Sequence, residues 1–170
     1  MRYKVTKKQK NSKYCAVCGV ENPFGFEARF YETDSKEVVA VFQTKFMQQS
    51  YPSRVHGGII SAMLDEIIGR AMWIEQPDGL AVTVELSLRY RKPIPLDETL
   101  KCVGRITRNT RKIFEGTGEI YLPDGSVAVE AKGKYWKMTS EEIEGDETLE
   151  ADQDVWVMLD SEEDPEYIEI

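Results

Sequence analysis

Hydrophobic and polar positions follow two different periods along the chain, and each period predicts its own kind of element. Two β-rich runs, 26–33 and 37–46, are separated by the short polar link 34–36, which suits a hairpin. From residue 57 to about residue 75 the chain is rich in Ile, Leu, Met and Ala, and its apolar positions cover well over half of a helical circumference. This distribution is typical of a helix that other elements surround.

After the polar turn at 76–79 the period changes from helical to two. Apolar side chains alternate with polar ones in the order Val82, Val84, Leu86, Leu88 and Tyr90. Such alternation predicts a strand. Three further strands are predicted at 99–108, 112–122 and 126–138. Because the connections are short, the strands should pair antiparallel. The predicted fold class is α+β, an antiparallel sheet wrapped around one long central helix.

The formal net charge of −8 is unevenly distributed along the 170 residues. Residues 141–170 hold 14 of the 30 acidic side chains and no Lys or Arg, and six of the 22 basic side chains lie within 1–14. We therefore expect a basic N-terminal arm at 1–14, a charge-balanced domain at 15–140 and a solvated acidic tail at 141–170. Within the tail, the apolar run 155–159 could dock on the domain. A balanced body with an acidic tail disfavours nucleic acid as a partner, since phosphate binding depends on a basic field.

Other classes of protein are disfavoured by what the sequence lacks. No apolar run approaches the roughly 18 residues that a membrane span requires, so no membrane partner is expected. Residues 1–14 contain no apolar stretch of the secretory type. Three cysteines, an odd number, favour reduced thiols over a disulfide framework. We expect a cytoplasmic protein.

The candidate chemistry lies where the predicted helix begins. His56, the only histidine, precedes Gly57 and Gly58, whose backbone amides at a helix N-terminus could receive a carbonyl oxygen that gains negative charge. Asp65 follows two turns later on a segment built for burial, and Ser61, Asp65 and Gly69 share one narrow face. Glu66 has Arg70 four residues on, the order of a solvated helix pair, so we assign the functional carboxylate to Asp65.

This spacing resembles the hotdog-fold thioesterases of the phenylacetate-pathway type, whose motif is His-Gly-Gly, six residues, then Asp. Similar flanking features are Tyr51-Pro52, Leu64-Asp65-Glu66 and the run from Thr83 to Tyr90. The similarity extends over about residues 15–138 and includes Cys15-Ala-Val-Cys18-Gly19 and Asn22-Pro23-Phe24-Gly25-Phe26.

The resemblance implies a homodimer or a dimer of dimers that binds acyl-CoA at the subunit interface and needs no cofactor or metal. By this resemblance Asp65 activates water or attacks the thioester, Gly58 supplies the oxyanion amide with Gly57 as a second candidate, and His56 helps to hold the carbonyl. Thr83 of the neighbouring subunit positions the water. Relatives have Asn or Gln where this chain has Ser50, so Ser50 and the nearby Gln48 and Gln49 are the candidates for that role.

Several alternatives remain open at the level of the sequence. Cations for the coenzyme phosphates could come from Arg89, Arg91, Lys92, Arg105, Arg108, Arg111 or Lys112. The pair Cys15 and Cys18 could form a structural turn, a redox pair or half of a metal site shared between subunits. A hotdog dehydratase or hydratase, with a His base, and a noncatalytic acyl-CoA binding module are the alternative functions, although Asp65 at this spacing favours hydrolysis.

Overall fold

An eight-stranded antiparallel sheet wraps the helix that the sequence predicts. The computed structural model describes residues 1–139, 142, 156–159 and 164–170. The helix and strands are β1 (Arg2–Lys8), β2 (Asn11–Ser12), β3 (Arg29–Thr33), β4 (Val38–Gln43), α1 (Gly57–Ala71), β5 (Leu80–Tyr90), β6 (Thr99–Asn109), β7 (Ile113–Tyr121), β8 (Val127–Met138), β9 (Trp156–Val157) and β10 (Tyr167–Glu169). Short 3₁₀ turns occupy Phe46–Gln48 and Met72–Ile74.

The strand order in the large sheet is β10-β1-β3-β4-β6-β7-β8-β5, and all neighbours pair antiparallel. The strands predicted between 26 and 138 are confirmed to within a few residues. The predicted central helix of the hotdog fold is confirmed at Gly57–Ala71, and the last turn of the predicted helix is a 3₁₀ turn at Met72–Ile74. None of the described helices is long and apolar enough to cross a bilayer.

Glycines in the sheet let α1 lie directly on the strands. A Cβ atom at Gly104 would stand 2.5 Å from the backbone oxygen of Ile67, too close for any side chain. On the side facing the sheet, Met63, Leu64, Ile67 and Ile68 have no exposed surface. Burial of this face is the main stabilising contribution, since each such side chain contributes about 1.5–3 kcal/mol on leaving water.

The two ends of the chain cover the outer face of the sheet, which the sequence interpretation did not anticipate. The first residues of β1 pair with β10 and its later residues pair with β3. This brings Tyr3 and Ile168 onto the outer-face cluster of Tyr31, Val39, Val103 and Tyr121. Residues 2–8 are therefore a strand of the large sheet rather than an arm outside it, with Tyr3 buried and Val5 partly buried.

Part of the predicted acidic tail packs on the domain, and its described acidic side chains are exposed as expected. Ile168 is buried among the outer-face residues, and Trp156 pairs through β9 with Ser12 and packs edge to face on Trp73, with ring centroids 5.2 Å apart. Docking of the apolar run is thus observed for Trp156 and Val157, which form β9. Its first residue, Val155, lies outside the described residues.

Burial of the last strand makes a stability prediction. Ile168→Ala should lower the free energy of unfolding by about 2 kcal/mol or more, because it removes most of an aliphatic side chain from a packed cluster. Urea denaturation followed by far-UV circular dichroism measures the change, with the exposed Glu166→Ala as the matched control. Equal midpoints for the two variants would support a solvated tail instead.

Candidate active site

The helix α1 begins with one backbone amide that remains available for a ligand. His56 is the N-cap residue, and its Nδ1 accepts a hydrogen bond of 2.9 Å from the N–H of Gly58. The amides of Ile59 and Ile60 donate to the backbone oxygen of His56. In the described part of the chain, the N–H of Gly57 has no hydrogen-bond acceptor. The candidate oxyanion donor is therefore the N–H of Gly57, because the N–H of Gly58 already donates to the His56 side chain that caps the helix.

An open cleft of about 310 Å³ lies beside Gly57. Tyr90, at the end of β5, donates from its hydroxyl to the backbone oxygen of Gly57 at 2.6 Å. Burial raises the pKa of the Tyr90 hydroxyl. Arg91 and Lys92 line the same cleft, and Ser61 donates to the backbone oxygen of Gly58 at 2.7 Å. Three substrate-binding candidates from the sequence thus lie around the start of the helix.

Asp65 lies two turns further along α1 and is held by two hydroxyl groups. Its Oδ1 accepts hydrogen bonds from Thr83 at 2.8 Å and from Tyr135 at 3.0 Å. Its Oδ2 has no partner within the residues that the structure describes. Two donors on one oxygen fix the plane of the carboxylate and leave the other oxygen able to accept a proton or attack a carbonyl.

Tyr135 is a site residue that sequence reasoning missed. Burial, together with the negative charge of Asp65, raises the pKa of its hydroxyl far above neutrality, so it remains a hydrogen-bond donor at every physiological pH. Its ring stacks on Phe114 with centroids 4.7 Å apart. A Cβ at Gly133 would lie 2.5 Å from that ring, so the glycine makes room for it. The alternation along β8 places Tyr135 on the inward face, and this is visible in the sequence. Alternation alone does not distinguish a site residue from a core residue.

The expected origin of Thr83 is corrected by this geometry. Thr83 was expected to approach from a neighbouring subunit, but its hydroxyl contacts Asp65 of the same chain. Asp65, Thr83 and Tyr135 line a second cleft of about 200 Å³. Gly57 and Asp65 are eight residues apart on α1, and a rise of 1.5 Å per residue puts them about 12 Å apart along the helix. The cleft beside Gly57 and the cleft beside Asp65 are therefore separate on a single chain.

The polar residues before His56 hold the preceding loop together. Gln48 is buried, and its side chain accepts from the N–H of Lys45 and donates to the backbone oxygen of Phe24, both at 2.9 Å. Gln49 accepts from the N–H of Ser53 at 3.3 Å. Ser50 is exposed. No hydrogen bond joins these three side chains to Gly57 or Asp65 among residues 1–139.

Most of the remaining candidate cations serve other charges. Arg105 forms an ion cluster with Glu37 and Glu119 on the outer side of the sheet, which excludes it as a free phosphate ligand. Arg89 lies opposite Glu130 in the register of β5 and β8 and is not among the residues that line the cleft beside Gly57. Arg91 and Lys92 do line that cleft, although Arg91 forms an ion pair with Glu130 at 2.7 Å and Lys92 lies 3.8 Å from Asp124. Their position beside the cleft makes them the better-placed candidates.

The ion pair between Glu66 and Arg70 is buried, contrary to the expectation of a solvated helix pair. Only 4% of the Arg70 side chain is exposed, and its Nε donates to Glu66 at 2.7 Å. The same guanidinium donates to the backbone oxygen of Lys10 at 2.7 Å and lies over the ring of Phe30. The reason is that the N-terminal segment folds over the second half of α1, which the helical period could not reveal.

Comparison with known proteins agrees with this arrangement of helix and sheet. Residues 53–129 match the sequence model of the thioesterase superfamily. Residues 53–129 belong to the thioesterase superfamily, and they lie within a hotdog fold. The mouse acyl-coenzyme A thioesterase THEM4 is 31% identical to this thioesterase-superfamily chain over 123 residues, which are 71% of the chain and 52% of the mouse protein. The chain thus spans about half the length of that relative.

Solved structures share the fold of the thioesterase-superfamily domain. The thioesterase superfamily protein RHA08564 aligns with a TM-score of 0.66 and 27% identity, covering 73% of this chain and 60% of the other. The Escherichia coli PaaI protein from the phenylacetic acid degradation operon aligns with a TM-score of 0.60 and 16% identity, covering 67% and 81%. The expected resemblance to hotdog thioesterases is confirmed, and the likeness to the PaaI protein shows a shared fold.

Proposed function

We propose that this chain hydrolyses acyl-CoA thioesters to a free acid and CoA. The observation that carries the proposal is the Asp65 carboxylate, which lines a cleft and whose Oδ1 is fixed by Thr83 and Tyr135, while its Oδ2 has no partner among the described residues. The name of the mouse relative, acyl-coenzyme A thioesterase, supports the substrate class. A cytoplasmic location stays a prediction from the sequence.

In the proposed reaction Oδ2 of Asp65 removes a proton from water while the water oxygen attacks the thioester carbon. On the alternative route Oδ2 attacks that carbon itself, and after CoA has left, water hydrolyses the resulting acyl–aspartyl anhydride to release the acid. The thioester oxygen becomes negative as the tetrahedral species forms, and the N–H of Gly57 stabilises it at the positive end of α1. The C–S bond then breaks and the thiolate of CoA leaves with a proton. A positioned base contributes about 10² to 10⁴ in rate and one oxyanion donor about 10² to 10³. Together they suffice for the chemistry, with Arg91 and Lys92 offering cations to the coenzyme phosphates.

The proposed active unit is a homodimer, because each chain presents the two halves of the site about 12 Å apart along one helix. A twofold axis would place Gly57 of one subunit against Asp65 and Thr83 of the other, and so complete two sites at once. The edge strand β5 supports this arrangement. It is a sheet edge of 11 residues, and Val82 and Val84 on it are 44% and 58% exposed. An uncovered apolar edge of this length favours pairing with a second copy.

A panel of acyl-CoA substrates tests the proposed function directly. Release of free CoA is followed with a thiol-reactive dye, and the acid product is identified by mass spectrometry. Thioester hydrolysis predicts both products in equal amounts. A dehydratase or hydratase would change the mass of the acyl chain by one water with the thioester intact, and a binding module would retain CoA esters without turnover.

Mixing of inactive variants tests the shared site. Gly57→Pro removes the free N–H at the first helical position, which accommodates proline, whereas Gly57→Ala keeps the donor and places its Cβ in ordinary contact, 3.5 Å from the Tyr90 hydroxyl. We expect Gly57→Pro to lose about 10² to 10³ in turnover and Gly57→Ala to lose little.

Unfolded together with Asp65→Asn and refolded at equal concentration, Gly57→Pro should give about half heterodimers by random association. Each heterodimer then has one intact site, so about a quarter of all sites recover.

The matched control is the mixture of Asp65→Asn with Thr83→Val. Because these two residues belong to the same half of the site, each heterodimer site carries one lesion and activity should not exceed that of the separate variants. Recovery in this mixture but not with Gly57→Pro would reverse the assignment of Thr83. No recovery in either mixture, with heterodimers confirmed by native mass spectrometry, would reject a shared site.

A further inference from the structure

Two cysteines lie in a tight turn against the second half of α1, away from the Gly57 half of the site. The N–H of Gly19 donates to the backbone oxygen of Cys15 at 2.9 Å. A Cβ at Gly19 would stand 2.3 Å from that oxygen, so the turn can close only on glycine. Sγ of Cys15, Sγ of Cys18 and a Glu66 carboxylate oxygen all lie within 4.8 Å of one another. A turn holds Cα atoms three residues apart within about 7 Å, and disulfides span about 4.4–6.8 Å, so the two thiols can join.

Hydrogen-bond donors on Cys15 favour its thiolate, whereas the Glu66 carboxylate, 3.9 Å from the same Sγ, opposes it. The N–H groups of Val17 and Cys18 both point at its Sγ, at 3.3 Å and 3.4 Å. The hydrogen bond from the Cys18 thiol is the largest cause that lowers the pKa of the Cys15 thiol, to about 6. Cys15 is only partly buried. It is therefore a charged nucleophile at neutral pH that a small reagent can reach.

Cys18 has the opposite character and a cation beside it. It is 1% exposed, and its hydrogen bond to Cys15, together with burial, raises the pKa of its thiol. A guanidinium nitrogen of Arg70 lies 3.1 Å from its Sγ. Cys18 thus stays protonated while Cys15 is a thiolate. Once Cys15 loses its charge, Arg70 can stabilise a thiolate on Cys18.

Arg70 also bears on the metal interpretation of this pair. A structural zinc site needs four ligands, and Cys15, Cys18 and Glu66 supply three within the described residues. The guanidinium that contacts both Glu66 and Cys18 already provides the positive charge that a metal ion would bring. The geometry therefore favours thiol chemistry over metal binding.

We propose that Cys15 and Cys18 form a dithiol that reacts with low-molecular-weight disulfides, with Cys15 as the nucleophile and Cys18 as the resolving thiol. The Cys15 thiolate attacks one sulfur of the disulfide, forms a mixed disulfide and releases the first thiolate. Cys18 loses its proton to solvent, attacks Sγ of Cys15 and releases the second thiolate. In sum, the protein dithiol is oxidised by two electrons to the Cys15–Cys18 disulfide, and the small disulfide is reduced to two thiols.

Glutathione disulfide is the probe, with the wild-type chain read by intact mass and peptide mapping. We expect a loss of two hydrogens, assigned to a Cys15–Cys18 bond, with Cys102 unmodified as the internal control because it has no exposed surface. Cys18→Ser should trap glutathione on Cys15, and Cys15→Ser should leave Cys18 unmodified. The wild-type rate should level off above about pH 7, whereas an ordinary thiol keeps gaining up to about pH 8.5 and beyond.

Three results would overturn the proposal. The first is wild-type chain in which glutathione adds no faster to Cys15 than to Cys102. The second is stable mixed disulfide on wild-type Cys15 that Cys18 never resolves. The third is zinc retained at a fixed stoichiometry against a competing chelator, lost in Cys15→Ser, which would assign the pair to a metal. The wild-type arms need no substitution to fold, and none depends on thioester hydrolysis.

Discussion

Asp65→Asn should lower the proposed turnover of acyl-CoA by about 10² to 10⁴ while the fold and the proposed dimer persist. The amide keeps an oxygen that can accept from Thr83 and Tyr135, so the hydrogen bonds that position the side chain survive. The other position becomes an NH₂ group, which can neither take a proton nor attack a carbonyl. The measurement is kcat from release of CoA, compared with KM for the same substrate.

The exposed Asp78→Asn is the matched control for this variant, since it makes the same chemical change outside both clefts. Its kcat should equal that of the wild type. Near-normal turnover in a folded Asp65→Asn protein would remove Asp65 from the mechanism. A loss confined to KM would make it a binding residue only.

Arg70→Met should be the most destabilising single substitution proposed for this chain, at about 3–5 kcal/mol. Methionine fills a similar volume but leaves the Glu66 carboxylate, 22% exposed, without its cation. It also leaves the backbone oxygen of Lys10 without the guanidinium donor. The free energy of unfolding from urea titration measures the effect.

A double variant separates the unpaired charge from lost packing. If the uncompensated carboxylate causes most of the loss, Arg70→Met combined with Glu66→Gln should recover part of the stability. A double variant that is less stable than Arg70→Met alone would attribute the loss to packing on Phe30 and Trp73 instead. A solvated pair would lose only about 0.3–0.5 kcal/mol in either single variant.

The elements that the sequence predicted well are those with a local signal. The period-two alternation of β5 and the helical run of α1 are both present within a few residues of their expected bounds. The termini had no comparable signal. Basic side chains alternate with Tyr3 in β1, and one buried residue, Ile168, marks β10 within an acidic segment. Their pairing joins residues more than 160 positions apart, so no local pattern could predict it.

The candidate site shows the same division. The motif correctly predicted that His56 precedes the helix and that Gly57 and Asp65 lie on it, because spacing along one element is a local property. The orientation of the His56 ring decides which glycine amide is free. The path of β5 relative to α1 decides that Thr83 contacts Asp65 of the same chain. Neither is a local property of the sequence. Tyr135 was identified only through its contact with Asp65.

The amide donor and the carboxylate lie two helical turns apart on one chain, so in the proposed dimer catalysis depends on the association equilibrium of two chains. In the proposed assembly a dissociated chain holds both groups but no complete site. The rate should therefore vary with the square of the total protein concentration once that concentration is below the dimer dissociation constant. Substrate bound across the two subunits would link them, and by thermodynamic linkage it should lower the concentration at which the assembly comes apart. Saturation with acyl-CoA would thus protect activity against dilution.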